Sequence, residues 1–312
     1  MTLFNRKIVS YILIFAIAMV TGLSIGKIYV DNLEAPSTVS ADESSLREKQ
    51  QDVEEWVARA EGGAPVDSFS VVELYNIAEY KLKNSDKYFK LMTGIVNAPM
   101  GIKQEMRSEK LFRDGVFVYN KLSPSTSRLS PPVCSRVIYD TNADTIKIAP
   151  KGIFDSNSDV IKGIFDVDSY VDYSMEEYVG IFNTSPLNVM PYIISSITIG
   201  QNKVSPITTN DDGTYTFSIA IDGDYLALAA LNYSYEIKFS SGMASPPKWV
   251  SLNMNITIDS NFNFVGIKYT EVYKMKPNVS GIGMMTVTDE FVDKFYFGDD
   301  VPEIDSDVKE VL

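Results

Sequence analysis

GIKQEMRSEKLFRDGVFVYNKLS, residues 101–123, alternates in character at nearly every step over its first half. Ile102, Gln104, Met106 and Ser108 fall on one side of an extended chain, and Lys103, Glu105, Arg107 and Glu109 on the other, because successive side chains of a strand point to opposite faces. A strand with one charged side keeps that side in water, an arrangement typical of antiparallel sheets. Arg113-Asp114-Gly115 then returns the chain onto Val116–Leu122, glycine accepting the positive φ that a tight hairpin requires.

The same texture extends outward in both directions. Upstream, Ser70 stands three residues before Glu73, a capping-box spacing, and Leu74, Ile77, Ala78 and Leu82 recur at helical intervals; a helix is expected there, followed by a strand over YFKLMTGIVN. Downstream, SRVIYD and TIKIA flank Thr141–Asp144 as a second hairpin, and the Ser/Pro-rich SPSTSRLSPP separates the two. The C-terminal half alternates again: Tyr215, Phe217, Ile219 and Ile221; Tyr233, Tyr235, Ile237 and Phe239; Val250, Leu252, Met254, Ile256 and Ile258. Turn residues at Asp211–Gly213, Asp222–Asp224 and Asp259–Asn261 separate these runs, and further strands are expected at Val265–Met275, Gly283–Thr288 and Phe291–Phe297. Between the halves, Ser174 and Glu177 form another capping-box spacing. Ser185-Pro186 reads as the start of a second helix carrying Leu187, Val189, Met190, Ile193 and Ile194, proline being tolerated where its missing amide costs nothing. The expected fold is α+β: a mainly antiparallel sheet curled into a barrel or half-barrel, with short helices on its concave side.

The N-terminus sets the location. Residues 8–26, IVSYILIFAIAMVTGLSIG, are uncharged and apolar behind Arg6 and Lys7, long enough at ~1.5 Å per residue to cross most of a ~30 Å hydrocarbon layer. We read a transmembrane anchor with residues 1–7 in the cytoplasm and the rest outside the cell membrane. A cleaved signal peptide is the competing reading, but its apolar core is shorter and Gly22-Leu23-Ser24 is a poor cleavage site. Residues 27–65 read as a polar stalk or linker, 66–298 as a β-rich extracytoplasmic domain, and 299–312 as a frayed acidic tail. The lone Cys134 leaves the domain without an intrachain disulfide, which suits a bacterial envelope protein.

Composition narrows the chemistry. With 41 acidic against 28 basic residues and a net charge of −13, the chain is a poor partner for nucleic acid. A histidine count of 0 removes the common nucleophile-histidine arrangements and histidine-bound zinc. Asp166, Asp168, Asp172, Glu176 and Glu177 suggest calcium, yet Tyr170 and Val171 stand where an EF-hand loop needs a ligand and a glycine; a solvated acidic loop is the better reading. The Ser-x-x-Lys pairs Ser245/Lys248 and Ser306/Lys309 lack the helix start that chemistry needs. Gly-Ile-Phe, at Gly152, Gly163 and Gly180, reads as coincidence plus shared turn chemistry, and the Asn-x-Ser/Thr sites at Asn183, Asn232, Asn255 and Asn278 as ordinary residues. No catalytic residue, metal or cofactor is assigned, and an enzyme is not expected.

The capped helix, the stretch FKLMTGIVNAPMGIKQEMRSEKLFRDGVFVYNKLS, the central helical segment and the second run of long strands together resemble the exported lipoprotein-carrier fold of LolA and its mycobacterial LppX-like relatives. The resemblance implies an incomplete barrel whose concave side, filled by helices, holds acyl chains in an apolar cavity. The chain departs from the soluble carriers in its anchor and from the lipoproteins in lacking an attachment cysteine. The reading that follows is a membrane-anchored extracytoplasmic binding module for a lipid or other hydrophobic ligand. Ile102, Met106, Phe217, Ile219, Tyr235, Ile237, Leu252 and Met254 are its candidate cavity lining. The alternative is a non-enzymatic envelope scaffold that docks another protein and holds no small ligand.

Overall fold

A computed structural model describes residues 50–124, 132–199, 203–241, 245–276 and 283–312. The expected anchor at residues 8–26 and most of the stalk lie outside the described residues. Among those described, no helix is long and apolar enough to cross a membrane.

Two helices open the described chain. α1 (Gln50–Glu61) carries Val53, Val57 and Ala60 on one stripe, all buried, and joins the same core as α2 (Val71–Lys83), with Arg59 reaching Glu73 at 3.2 Å. The packed core therefore reaches into the stretch read as a stalk. α2 starts as its capping box demands: Ser70 Oγ accepts from the Glu73 amide, and Glu73 Oε2 accepts from the Ser70 amide at 2.6 Å. Its Leu74, Tyr75, Ile77, Ala78 and Leu82 are wholly buried.

The strands are β1 (Tyr88–Ala98), β2 (Ile102–Arg113), β3 (Val116–Ser123), β4 (Val133–Asp140), β5 (Thr145–Ala149), the short β6 (Ile153–Phe154) and β7 (Gly163–Ile164), β8 (Val171–Tyr173), β9 (Thr208–Thr209), β10 (Tyr215–Asp222), β11 (Lys248–Ile258), β12 (Phe264–Met275) and β13 (Met285–Phe297). All but β6 and β7 form one antiparallel sheet of 11 strands in the order β8-β5-β4-β3-β2-β1-β13-β12-β11-β10-β9. The chain meanders outward from the middle, crosses to the far edge and meanders back, so that β13 pairs with β1 along its length. The sheet is curved and does not close. Asp114 and Gly115 both take positive φ at the β2–β3 turn, as the Asp-Gly hairpin signal requires.

The remaining helices are α3 (Met175–Phe182), α4 (Ser196–Ile199), α5 (Gly223–Ala229), α6 (Leu231–Ser241) and α7 (Ser306–Val311). Helices α2 to α6 contribute buried residues to the clusters on one face of the sheet, here called the inner face. Three expectations fail in this region. Tyr233–Phe239 does not form a strand but part of α6, and Asp222–Asp224 starts a helix in place of a hairpin. The alternation misled because its polar members Asn232 and Ser234 are as buried as Tyr235 and Ile237, while the preceding YLALAA is strongly helix-forming. The segment Leu187–Ile194 is irregular although helical spacing was read there. Pro191 sits in its middle, where a helix would lose a hydrogen bond and clash. Val189, Met190, Tyr192 and Ile194 are nevertheless buried.

The opposite, outer face is half covered. Gly152-Ile153-Phe154 and Gly163-Ile164-Phe165 prove to be the arms of a hairpin, with Ile153 opposite Ile164 and Phe154 opposite Gly163. The Phe165 ring lies so close that a Cβ at Gly152 would meet it at 2.7 Å and one at Gly163 at 2.8 Å, so both glycines are required and the repeat is structural, not coincidental. The acidic tail is ordered. Val301, Ile304 and Val308 of the tail and α7 bury Leu111, Val116, Val118 and Ile138. Arg136, 2% exposed, fastens it: its Nε donates to Asn120 Oδ1 at 2.7 Å, its Nη1 to Asp307 Oδ2 at 2.6 Å, and Phe165 stacks over its guanidinium at 4.3 Å. Arg136→Met is expected to cost ~1.5–3 kcal/mol, read as a lower urea midpoint. It should also open Lys309 in the tail to trypsin while the sheet stays folded.

Candidate functional site

The inner face carries charge where its periodicity calls for apolar side chains. Lys90 lies between Tyr88 and Met92 on β1, Lys110 and Lys121 follow on β2 and β3, and Glu271, Asp289 and Asp293 are interleaved with the buried aromatics of β12 and β13. Lys90 and Lys110 are directly opposed across β1 and β2. Charges in such surroundings must be paired or neutralised. Lys90 Nζ meets Asp293 Oδ2 at 2.8 Å, both side chains almost wholly buried. Lys121 Nζ and Tyr119 Oη both reach Glu236 Oε1 on α6, at 3.2 and 2.5 Å. Lys110 Nζ donates to the carbonyls of Asn188 and Val189, each at 3.2 Å, and faces the Tyr119 ring. Those carbonyls are free to accept because Pro191 keeps their segment out of a helix.

Next to this set lies a pair of carboxyl groups. Glu271 and Asp289 are directly opposite on β12 and β13. Tyr192 Oη donates to Glu271 Oε2, Tyr233 Oη to Glu271 Oε1 at 3.2 Å, and Tyr273 Oη to Asp289 Oδ2 at 3.1 Å. Asp289 Oδ1 meets no donor among the described residues. Asp293 Oδ1 is likewise without a donor among the described residues, and a proton held between the facing Glu271 and Asp289 carboxyls would join the two groups. Lys90, Lys110 and Lys121 against Asp293, Glu236, Glu271 and Asp289 leave one negative charge too many, and this proton restores neutrality.

The environment sets each titration. Burial pushes Glu271 up to about 7 despite its hydroxyl donors, and burial with the facing Glu271 drives Asp289 well above the usual carboxyl range. Burial raises Asp293 against the pull of Lys90. Burial would raise Glu236 too, but Lys121 and Lys110 outweigh it and hold it at about 2. Burial lowers Lys110 to about 8.

The eight expected lining residues fare unequally. Phe217, Ile219, Leu252, Met254 and Ile237 meet in the main core, with Ile219 opposite Met254 and Ile221 opposite Leu252. Met106 packs on its margin, and Ile102 and Tyr235 are buried apart from it. Together with the ion and tyrosine network, these side chains occupy the space between sheet and helices. The network was missed in the sequence although a signal existed: acids at Asp289 and Asp293 in phase with Val287, Phe291 and Phe295.

The uncovered half of the outer face is shaped differently. A groove of about 800 Å³ runs across β1, β13, β12, β11 and β10. Thr93, Asn253, Asn255, Lys268 and Glu290 present exposed side chains to it. A second hollow of about 570 Å³ adjoins it at Thr257, Val265 and Lys294. The rim of the larger groove is built by Lys203–Ser205, which pairs alongside β10: Ala220 N donates to Lys203 O and Ser205 N to Ser218 O, both at 3.0 Å. Three of the five acidic residues considered for calcium are spent locally, Asp166 on a turn amide, Asp172 on Lys147 and Glu177 on the α3 cap.

No protein-family model matches the chain, and comparison with curated proteins finds no relative. Among solved structures, a DUF1329 family protein from Desulfovibrio piger is similar over 74% of this chain and 93% of its own, at 9% identity and a TM-score of 0.23, a likeness too slight to carry an argument.

The pairing of Lys90 with Asp293 yields a test. Lys90→Met leaves Asp293 buried and unpaired and is expected to cost ~3–5 kcal/mol in denaturant unfolding, most of it regained in Lys90→Met/Asp293→Leu.

Proposed function

We propose that the protein is a membrane-tethered extracytoplasmic interaction module that docks another envelope protein on the open outer face of its sheet. One observation carries this reading: the outer face of the sheet holds a broad open groove whose largely apolar floor is studded with hydroxyl, amide and charged side chains of both signs, among them Thr93, Asn253, Asn255, Lys268 and Glu290. Between sheet and helices, where a lipid would sit, the side chains include a buried ion pair as well as the apolar core, which favours this reading over a lipid site. Apolar area interspersed with hydrogen-bonding and charged side chains, on an open and shallow surface, is the mixture a protein interface uses, whereas a lipid site encloses its ligand. The tether at residues 8–26 keeps the domain beside the membrane, where such a partner would be met. The resemblance to lipoprotein carriers then concerns the layout of sheet and helices, and the cargo differs.

The test uses the full-length chain in its own membrane, with a photo-crosslinking residue at Asn253 in the groove or at Glu176 on exposed α3. A discrete adduct from Asn253 and none from Glu176 is expected. Lipid bound near one-to-one in native mass spectra of the detergent-purified protein, with no groove-specific adduct, would overturn the proposal in favour of the carrier.

A further inference from the structure

Three elements meet at the Glu271–Asp289 pair. Tyr192 comes from the irregular segment Leu187–Ile194, Tyr233 from α6, and Tyr273 from the sheet itself. Through two hydroxyls on one carboxylate, the sheet holds both covering segments. Trp249 seals the same place: its ring stacks on Tyr233 at 5.8 Å, meets Tyr192 and Tyr273 edge-on, and its Nε1 donates to Ser234 Oγ of α6 at 2.8 Å.

We propose that this pair is a proton-dependent latch: the cover formed by Leu187–Ile194 and α6 stays closed while the facing carboxyls share a proton, and it lifts from β11 and β12 as that proton is lost. Two buried carboxylates directly opposite each other resist being charged together, because each gives up hydration and repels the other. Closing the cover therefore takes up protons that opened, hydrated carboxyls would release.

The direction follows from linkage. In water Glu271 titrates at 4.5, and in the closed state at about 7. The closed state thus holds more protons between these values, and its advantage, full below 4.5, is lost as pH rises through 7. The groups facing the pair are Tyr192 from the segment, Tyr233 and Glu236 from α6, Tyr269 and Tyr273 from β12, Asp293 from β13, and Lys121 from β3. Burial raises the tyrosines above 10, outside this range. Glu236, held at about 2, acts only in acid. Lys110 works the other way, since opening would return it from about 8 toward 10.5 and take up a proton. The window for opening is accordingly pH 5 to 8.

The chain has 2 tryptophans, so Trp56→Phe in the full-length, detergent-solubilised protein leaves Trp249 as the sole indole reporter on the latch. Acrylamide quenching of Trp249 is expected to rise from pH 5 to pH 8, the opening equilibrium shifting by up to about tenfold per pH unit for each proton released. In Glu271→Gln/Asp289→Asn the rise should vanish. If that variant fails to fold, Glu271→Gln alone should reduce the slope. Quenching that stays flat in the parent, a slope that persists in the folded variants, or loss of the far-ultraviolet sheet signal in step with quenching overturns the latch.

Discussion

The ladder from Tyr88 opposite Phe297 to Asn97 opposite Thr288 joins two meanders separated by most of the described chain. Each meander alone has local turns and a half-buried face; neither has a covered middle. Pairing β1 with β13 makes one sheet of them and sets Lys90 beside Asp293. Contacts so distant in sequence must pay for loop closure before they are rewarded, which predicts slow folding relative to a helical domain of similar length. Helices α2 to α6 then have a single continuous surface on which to lie.

The buried charges tighten this dependence. A register slip of one residue turns every side chain to the other face. For β1 it would expose Tyr88 and Met92 and separate Lys90 from Asp293, at a cost no apolar repacking offsets. Ion pairs in a core contribute little to net stability when compared with well-packed hydrophobes. Their worth here lies in permitting only one alignment of the central strands. The aromatic residues around them, Tyr192, Tyr233, Trp249 and Tyr269, supply both apolar area and hydroxyl donors, the combination a polar core requires.

How much of this was legible follows the same logic. The hairpin at Asp114-Gly115 and the capping boxes at Ser70 and Ser174 are local devices whose residues satisfy their own backbone, and they stand where the sequence placed them. The α+β class and the antiparallel meander follow from strands with one wet side. Alternation failed at Tyr233–Phe239 because burial on both sides of α6 removed the contrast that periodicity measures. Helical spacing failed at Leu187–Ile194 because Pro191 outranks it. The acidic tail was misread from its charge, although Val301, Ile304 and Val308 recur at intervals that fit a covering strip. Of the carboxyl pair, only the phase of Asp289 with Val287 and Phe291 is legible; its surroundings are not, since Tyr192 and Tyr233 come from distant segments that only the finished sheet unites.

The ordered tail has a consequence for how unfinished or damaged copies behave. A polypeptide cut before Val301 still contains every strand of the large sheet, yet Leu111, Val116, Val118 and Ile138 lose their cover and Arg136 its anionic counterpart. Such a product would be nearly complete in architecture and greasy on one flank, prone to self-association. The last dozen residues thus act as a seal over that flank of the sheet.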